Sequence, residues 1–261
     1  MKIYYDNLLN VSTMNVYAKS EDSSYPAQNV LDSRLSRVYR STAVQAVEEI
    51  LFLNVPTAST GEETYISFVN HNISSSVTIW GGFLASTVWG STSLVAQQLT
   101  FEWSTYSIIA SWSTGGFSAF ARFKIWIYGN STDNDYTEIG SIMANRSFGM
   151  PYMKPDQTLS RGVNSRITIG DSGQAYGDNG YDYRNPKINF PYISSQERVD
   201  MSSMFINSKN YKPMIVDIWQ SSNSNEDEEM YCIIDQDKLE FKRTDDVNYR
   251  WATSLKFREV F

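Results

Sequence analysis

The first half of the chain alternates short apolar runs with polar turns. Runs typical of strands lie at residues 64–69, 76–80, 105–112 and 121–128. In the last of them Phe123, Ile125 and Ile127 alternate with Lys, Trp and Tyr, which places the two sets of side chains on opposite faces of a sheet. The segments between the runs are rich in Gly, Asn and Ser, the usual turn residues. Many short strands at this spacing predict a β-sandwich or jelly roll.

One segment of the first half allows two interpretations. The residues of segment 42–53 have a helix-like pattern. The same segment ends in Ile-Leu-Phe-Leu at residues 50–53, a run that is also typical of a buried strand. The sequence leaves helix and strand open at this place.

The composition of the chain changes near residue 148. Pro151 disfavours a helix before it and lacks a backbone donor, which marks a natural junction. The stretch at residues 155–191 is rich in Gly, Asn, Asp and Tyr and contains one predicted strand, at residues 166–169. We therefore predict two domains, residues 1–147 and residues 148–261.

The second domain contains the clearest helix signal. Ser194 and Glu197 have the spacing of a capping box, in which each side chain binds the backbone amide of the other residue. The helix is expected to end near Asn207. Strands are predicted after it at residues 213–219, 229–235, 239–242 and 252–260. The predicted fold class is mainly β, with an N-terminal β-sandwich or jelly roll followed by a β-rich domain that has one α-helix.

Composition supports this fold class and disfavours one class of partner, the nucleic acids. Aromatic residues make up 14% of the chain, and flat rings pack well on a pleated surface. The formal net charge of -7 argues against a nucleic-acid partner, because duplex binding depends on clustered Lys and Arg. The run of like charge is acidic: Glu226, Asp227, Glu228 and Glu229. We interpret it as a solvated hairpin loop, and a calcium site is the alternative, although the ligand spacing of an EF-hand is missing.

Three features of the sequence bear on the cellular compartment: its apolar stretches, its first residues and its single cysteine. No stretch approaches ~20 uncharged apolar residues, so we predict no membrane-spanning helix. The first residues lack the apolar core and the cleavage site of a secretory signal. The single cysteine, Cys232, can form no internal disulfide, and its apolar surroundings predict a buried strand thiol rather than a nucleophile. We expect a protein that is made and folded in a reducing cytoplasm.

Residues suited to catalysis are few. The one histidine, His71, is flanked by Asn70 and Asn72, and no Gly-x-Ser-x-Gly motif accompanies it. One His and one distant Cys are too few for a zinc site, and no Gly-rich phosphate loop is present. Carboxylates could act on a glycosidic bond, but no pair stands out. We therefore predict that His71 is a structural turn residue, and that the chain has no catalytic residue and no cofactor.

Aromatic residues of the first domain supply the candidate binding site. Four tryptophans, Trp80, Trp89, Trp103 and Trp112, lie in or beside predicted turns. Sugar-binding modules place such rings at loop tips, because an amphipathic ring stacks on the face of a pyranose. Core packing and subunit contacts are the alternative, since Trp and Tyr are enriched there too. The four residues are candidates for contact with a glycan or with another subunit.

The first half resembles the opening of discoidin-like, galactose-binding-type jelly rolls. The residues that carry the resemblance are 7–9 (Asn-Leu-Leu), 20–32 (ending in Tyr-Pro-Ala-Gln-Asn-Val-Leu-Asp) and 39–41 (Tyr-Arg-Ser). Residues 69–74 (Val-Asn-His-Asn-Ile-Ser) are similar to a turn of phage tail proteins that carry this domain, and residues 136–142 to their last strand. The calcium and sugar contacts of discoidin domains have no clear counterparts, so none is carried over.

The second half resembles the ring-forming domain of phage distal tail proteins. The matching residues are the predicted helix at 194–205, the strand at 212–216 (Lys-Pro-Met-Ile-Val) and the ending 253–260 (Thr-Ser-Leu-Lys-Phe-Arg-Glu-Val). In many distal tail proteins the ring domain comes first, whereas here the order is reversed.

Together the two resemblances imply a non-enzymatic structural subunit of a bacteriophage virion tail. It would form a ring of six-fold or three-fold symmetry at the tail tip (baseplate) and connect the tail tube to the hub or fibres. Its implied partners are copies of itself and these other tail proteins. The alternative is a host-surface glycan-binding module in the first domain. A polysaccharide depolymerase is the third hypothesis, and the lack of an internal repeat disfavours it.

Overall fold

Strands dominate the part of the chain that the structure describes. The computed structural model describes residues 2–9, 12–43, 45–55, 64–83, 95–99, 101–103, 107–112, 122–129, 135–149, 158–164, 167–169, 175–177, 180–218, 229–245 and 249–260. In chain order, the strands of this part are β1 (Lys2–Tyr5), β2 (Asn15–Ala18), β3 (Tyr39–Arg40), β4 (Val47–Leu53), β5 (Thr64–His71), β6 (Thr78–Phe83), β7 (Val95–Gln98), β8 (Phe101–Trp103), β9 (Ser107–Trp112), β10 (Arg122–Tyr128), β11 (Glu138–Gly149), β12 (Thr158–Asn164), β13 (Ile167–Ile169), β14 (Ala175–Gly177), β15 (Tyr181–Ile193), β16 (Met214–Asp217), β17 (Glu229–Ile234), β18 (Lys242–Asp245) and β19 (Arg250–Glu259). The helices are a 3-10 helix at Ala27–Leu31 and α1 at Ser195–Ser208. The prediction of a mainly β fold is confirmed.

The chain divides into two compact units, each described here by itself. The N-terminal unit contains Tyr4–Ser147 and Asp217–Glu229, and the C-terminal unit contains Met1–Ile3, Phe148–Val216 and Met230–Val260. The separate roles inferred for the domains 1–147 and 148–261 stay a prediction.

The N-terminal unit is a β-sandwich. One sheet has the strand order β2-β4-β10-β6-β7, and the other contains β11-β5-β9-β8, with β3 paired to β11. A single hydrophobic core takes side chains from both sheets, such as Phe52 and Ile125 from the first and Phe68, Ile108 and Ile142 from the second. Burial of apolar side chains at about 25 cal/mol per Å² is the main force that holds two such faces together.

The undecided segment 42–53 forms a strand in its second half. β4 lies between β2 and β10, so both of its edges are hydrogen-bonded. Ile50 and Phe52 enter the core, whereas Leu51 lies on the opposite face with β10 residue Trp126. As a strand, the segment packs both of its faces and hydrogen-bonds both of its edges, whereas a helix would bury one face only. The strand is therefore the more stable structure for these residues.

The C-terminal unit combines an antiparallel sheet with α1. Its strand order is β12-β15-β19-β17-β16, and β18 pairs with β19. The predicted capping box is confirmed, because the Glu197 amide donates to Ser194 Oγ (3.2 Å) and the Ser194 amide donates to Glu197 Oε2 (2.6 Å). Met201 and Met204 of the helix are fully buried. Neither described helix has the length and hydropathy required to cross a bilayer.

A buried ion pair fixes β15 to β19. The Arg184 backbone amide donates to Glu259 Oε2 at 2.9 Å, and its Nε donates to Glu259 Oε1 at 3.0 Å. Both side chains are about nine-tenths buried. Because the guanidinium and the backbone amide both satisfy the carboxylate, the pair can tolerate removal from water.

β12 (residues 158–164) and the first half of β15 (residues 181–187) form a hairpin arm. β12 pairs along its whole length with the first half of β15, from Thr158 opposite Lys187 to Asn164 opposite Tyr181. Between these two strands in the sequence, β13 pairs with β14 as a separate two-stranded sheet. Within the arm, Gly162 faces the ring of Tyr183 so closely that a Cβ would lie 2.6 Å from it. The strand predicted at residues 166–169 is confirmed as β13, and no strand was predicted from the sequence at β12, β14 or β15.

Candidate functional site

The described members of the predicted tryptophan set belong to two different sheets of the N-terminal unit. Trp80 lies within β6, so its predicted place in or beside a turn is wrong: Gly81 and Gly82 continue the strand, opposite Ile125 and Lys124 of β10. Trp103 ends β8 and Trp112 ends β9, both in the other sheet of the sandwich. Trp89 lies outside the described residues.

Trp80 instead belongs to a group of aromatic residues on the face of the five-stranded sheet that points away from the core. This outer aromatic face consists of Tyr17, Trp80, Trp126 and Tyr128. Trp126 pairs directly with Trp80, and opposite residues of an antiparallel pair share a face. Tyr17 and Tyr128 are 48% and 39% exposed, while Trp126 is buried. In the sequence, Trp126 and Tyr128 alternate with Phe123, Ile125 and Ile127, which is the signal that places them on the second face of β10.

A buried ion pair underlies this face. Lys124 is fully buried, its Nζ lies 2.8 Å from Glu49 Oε2, and it sits 5.3 Å from the centroid of the Trp126 ring. Lys19 reaches the same carboxylate at 3.5 Å. Burial opposes the charge of Glu49, but the hydrogen bond and charge of Lys124 outweigh it, so the pKa of Glu49 lies below its ordinary 4.5. The pair therefore stays ionised and orients the residues around the aromatic face.

Glu48 lies on the opposite face of β4, in the interior of the sandwich. The Tyr39 hydroxyl lies 2.8 Å from Glu48 Oε1 and 2.7 Å from the Ser20 carbonyl oxygen. The hydroxyl donates toward both acceptors, which share its one proton. Burial raises the pKa of Glu48 to about 7 against the opposing hydrogen bond from Tyr39, and burial together with Glu48 raises the pKa of Tyr39 well above its ordinary 10. The hydrogen bonds of the network favour the carboxylate, and burial, which is the larger effect, favours the neutral acid.

His71 ends β5 at a turn. Asn70 has a positive φ of 53°, and the Ile73 amide donates to His71 Nδ1 at 3.1 Å. Asn72 donates to the Tyr136 carbonyl at 2.9 Å and accepts from the Glu138 amide. Burial lowers the pKa of His71 to about 4, so the ring is neutral and its proton lies on Nε2. The imidazole thus serves the turn as an acceptor, as the structural interpretation predicts.

The other predicted chemical groups are the thiol of Cys232 and the acidic run at residues 226–229. Cys232 is buried in β17, where burial and then the Glu259 carboxylate raise the thiol pKa well above 9.0, against the opposing charge of Arg184. Of the acidic run, Glu226, Asp227 and Glu228 lie outside the described residues. Within the described ranges, no group of three or more His, Cys, Asp or Glu side chains is placed to hold a metal.

A cleft of about 900 Å³ opens in the C-terminal unit, and no sequence pattern pointed to it. β15, β18 and β19 form its walls. The lining side chains that bear on its chemistry are Asn189, Tyr192, Glu240, Phe241, Lys242 and Ser254. They come from three separate stretches of chain, so only the sheet brings them together.

Comparisons with known proteins identify no family for the chain. No family model matches the sequence, and no curated protein matches it. Three solved structures are similar in part. CpGH89 from Clostridium perfringens, in complex with its substrate GlcNAc-alpha-1,4-galactose, is 13% identical, with a TM-score of 0.36 over 56% of this chain and 16% of that chain. The Ruminococcus gnavus GH29 fucosidase in complex with fucose is 15% identical, with a TM-score of 0.36 over 55% of this chain and 27% of that chain.

The third structure is the family 32 CBM from C. perfringens NanJ in complex with galactose. It is 13% identical, with a TM-score of 0.35 over 57% of this chain and 100% of that chain. This chain therefore spans less than a third of the length of the first two proteins and the whole length of the third.

Proposed function

We propose that this chain is a non-enzymatic structural subunit of a bacteriophage virion tail. It assembles into a ring at the tail tip and connects the tail tube to the hub or fibres. The observation that carries the proposal is the hairpin arm (residues 158–164 and 181–187), whose surface suits contact with another protein. The resemblance of residues 194–205 and 253–260 to the ring domain of distal tail proteins supports the same conclusion.

The arm exposes apolar side chains and a strand edge. Leu159 and Val163 are 45% and 62% exposed on one face of β12. Ile169 of β13 is 71% exposed. β12 begins the strand order of its sheet, so within the described residues it pairs on one side only. A two-stranded hairpin is marginally stable in water, and an open edge readily pairs with another chain. Contact with a neighbouring subunit would stabilise both features.

The expected assembly is a closed ring of six-fold or three-fold symmetry. Closed cyclic symmetry is the usual solution for identical subunits, and a tail is symmetric about its axis. Each specific contact between neighbouring copies should bury more than about 1,000 Å² in total. An arm that reaches the next copy makes a contact of this size possible for a chain of modest size.

Light scattering and negative-stain microscopy of the purified full chain test the proposal. We expect rings for the wild type and monomers for the double variant Leu159→Asp/Val163→Asp. The matched control is Ile206→Asp/Tyr211→Asp, which places the same charges in the same unit at side chains that are 68% and 66% exposed. Antibodies against the chain should label the tail tip of virions. A wild type that stays monomeric at high concentration, together with unlabelled tails, would refute the proposal.

The outer aromatic face favours a second candidate function, binding of a host-surface glycan by the first domain. Tyr17 and Tyr128 present partly exposed rings on the same face as Trp80. Such amphipathic rings can stack on a sugar while their polar groups remain solvated. Binding of the full chain to immobilised cell-surface polysaccharide should then weaken in Trp80→Ala and Tyr128→Ala. Unchanged binding in both variants would exclude this face as the site.

A further inference from the structure

We propose that the cleft of the C-terminal unit is a binding site for a neutral oligosaccharide. This site is separate from the tryptophans of the first domain, and the inference does not depend on ring assembly. It rests on the shape of the sheet at the cleft, on the side chains that line it and on their balance of charge.

Two irregularities at the same level of β19 create the cleft. β15 pairs Phe190 with Thr253 and then Ile193 with Trp251, so Pro191 and Tyr192 leave the ladder. On the other side, β18 pairs Arg243 with Trp251 and then Asp245 with Arg250, which leaves Thr244 out of register. Bulges bend a strand and re-aim its side chains, and they are frequent beside binding sites. Here both irregularities lie beside residues 250–253 of β19, and residues 252–254 of the same strand line the cleft.

Polar side chains converge on the floor of the cleft. Asn189 lies opposite Ser254, and Lys242 lies opposite Ala252, so these residues share one face of the sheet. Within the described part of the chain, the side chains of Asn189, Lys242 and Ser254 make no hydrogen bond or ion pair. Together they offer amide, hydroxyl and ammonium groups to a ligand. Such unused groups on a concave surface are what a polyhydroxylated ligand requires.

Aromatic residues complete the arrangement. Tyr192 is 52% exposed, and the Arg250 guanidinium lies 5.9 Å from its ring centroid, which restrains the ring at the cleft. Phe241 lines the same cleft and is partly buried. The C–H face of a pyranose can pack on such a ring while its hydroxyls bind the polar floor. An apolar ligand would leave the polar side chains of the floor without hydrogen-bond partners, which costs free energy.

Charge favours a neutral ligand. Glu240 and Lys242 line the cleft with one charge of each sign. A nucleic acid would need clustered positive charge, and an acidic glycan would meet the Glu240 carboxylate. A cleft of about 900 Å³ is within the size range of ordinary ligand pockets.

The test uses the full chain on an array of neutral and sialylated oligosaccharides, followed by calorimetry with the tightest neutral one. We expect binding to a neutral oligosaccharide that weakens about tenfold or more in Tyr192→Ala and in Asn189→Ala. Tyr192→Phe keeps the ring and should keep the affinity. Tyr181→Ala is the matched control, because Tyr181 lies in the same strand and is 55% exposed outside the cleft.

Three results would overturn the inference. The first is that no neutral oligosaccharide binds at roughly 1 mM, which corresponds to about -4 kcal/mol. The second is binding that Tyr192→Ala and Asn189→Ala leave unchanged, or that Trp80→Ala removes instead. The third is binding restricted to the sialylated oligosaccharides. Near-ultraviolet circular dichroism of each variant distinguishes a lost contact from a lost fold.

Discussion

The interior carboxyl group of Glu48 makes a pH-dependent contribution to the stability of the N-terminal unit, and replacing it with Gln removes that contribution. Its pKa is about 7 in the folded protein and 4.5 in an exposed chain. The folded state therefore binds the proton more tightly, so this stabilisation is complete below pH 4.5 and is lost as the pH rises to 7. The difference between the two pKa values corresponds to about 3 kcal/mol in the free energy of unfolding.

His71 acts in the opposite direction in the same unit. Its pKa is about 4 when folded and 6.5 in an exposed chain, so its contribution is complete above pH 6.5 and is lost as the pH falls to 4. Between about pH 5 and pH 7 each residue changes the stability by about 2 kcal/mol, and the two changes have opposite signs. We expect them nearly to cancel in the wild type.

Urea unfolding from about pH 5 to pH 7 separates the two contributions. Glu48→Gln should gain stability as the pH rises, because the effect of His71 remains alone. His71→Asn, whose amide oxygen can still accept from the Ile73 amide, should lose stability over the same range. Tryptophan fluorescence is a suitable signal, since Trp80 and Trp126 lie in the sheet that contains Glu48.

The decisive quantity is the difference between profiles, because all other titrating groups are common to the three proteins. The double variant Glu48→Gln/His71→Asn should have the same slope as the wild type. If the Glu48→Gln profile runs parallel to that of the wild type, the carboxyl group does not hold its proton in the folded state. The conclusion that burial outweighs the hydrogen bonds that Glu48 accepts would then be wrong.

Three other predictions concern single contacts. Ser194→Ala should lower the free energy of unfolding by about 0.5–2 kcal/mol in chemical denaturation, because the Glu197 amide loses its acceptor; an unchanged midpoint would mean that the cap contributes nothing. Lys124→Met should lower the free energy of unfolding by about 3–5 kcal/mol, since it removes the buried partner of the Glu49 carboxylate. The control Lys19→Met should lower it by less than about 1 kcal/mol. Equal losses in the two variants would refute this ranking. His71→Ala should lower the melting temperature but remove no activity, and new reducing ends from capsular polysaccharide that depend on one Asp or Glu would contradict the non-enzymatic proposal.

Local patterns in the sequence were enough for the elements whose signal lies within the element itself. The alternation around Phe123, Ile125 and Ile127 predicted β10, and all three side chains enter the core. The spacing of Ser194 and Glu197 predicted the start of α1, because both hydrogen bonds of a capping box form within one turn. The mainly β class followed from many such short runs.

Tertiary structure decided everything that depends on pairing between distant strands. Segment 42–53 became strand β4 because β2 and β10 satisfy both of its edges, and neither partner is visible in the segment itself. β12 and the first half of β15 became a paired arm, although no strand was predicted at either place. Trp80 faces away from the core because its register is set by Trp126. Strand preference reflects packing against cross-strand neighbours, which come from elsewhere in the chain, so a local pattern can indicate a strand but not which residues will lie beside it.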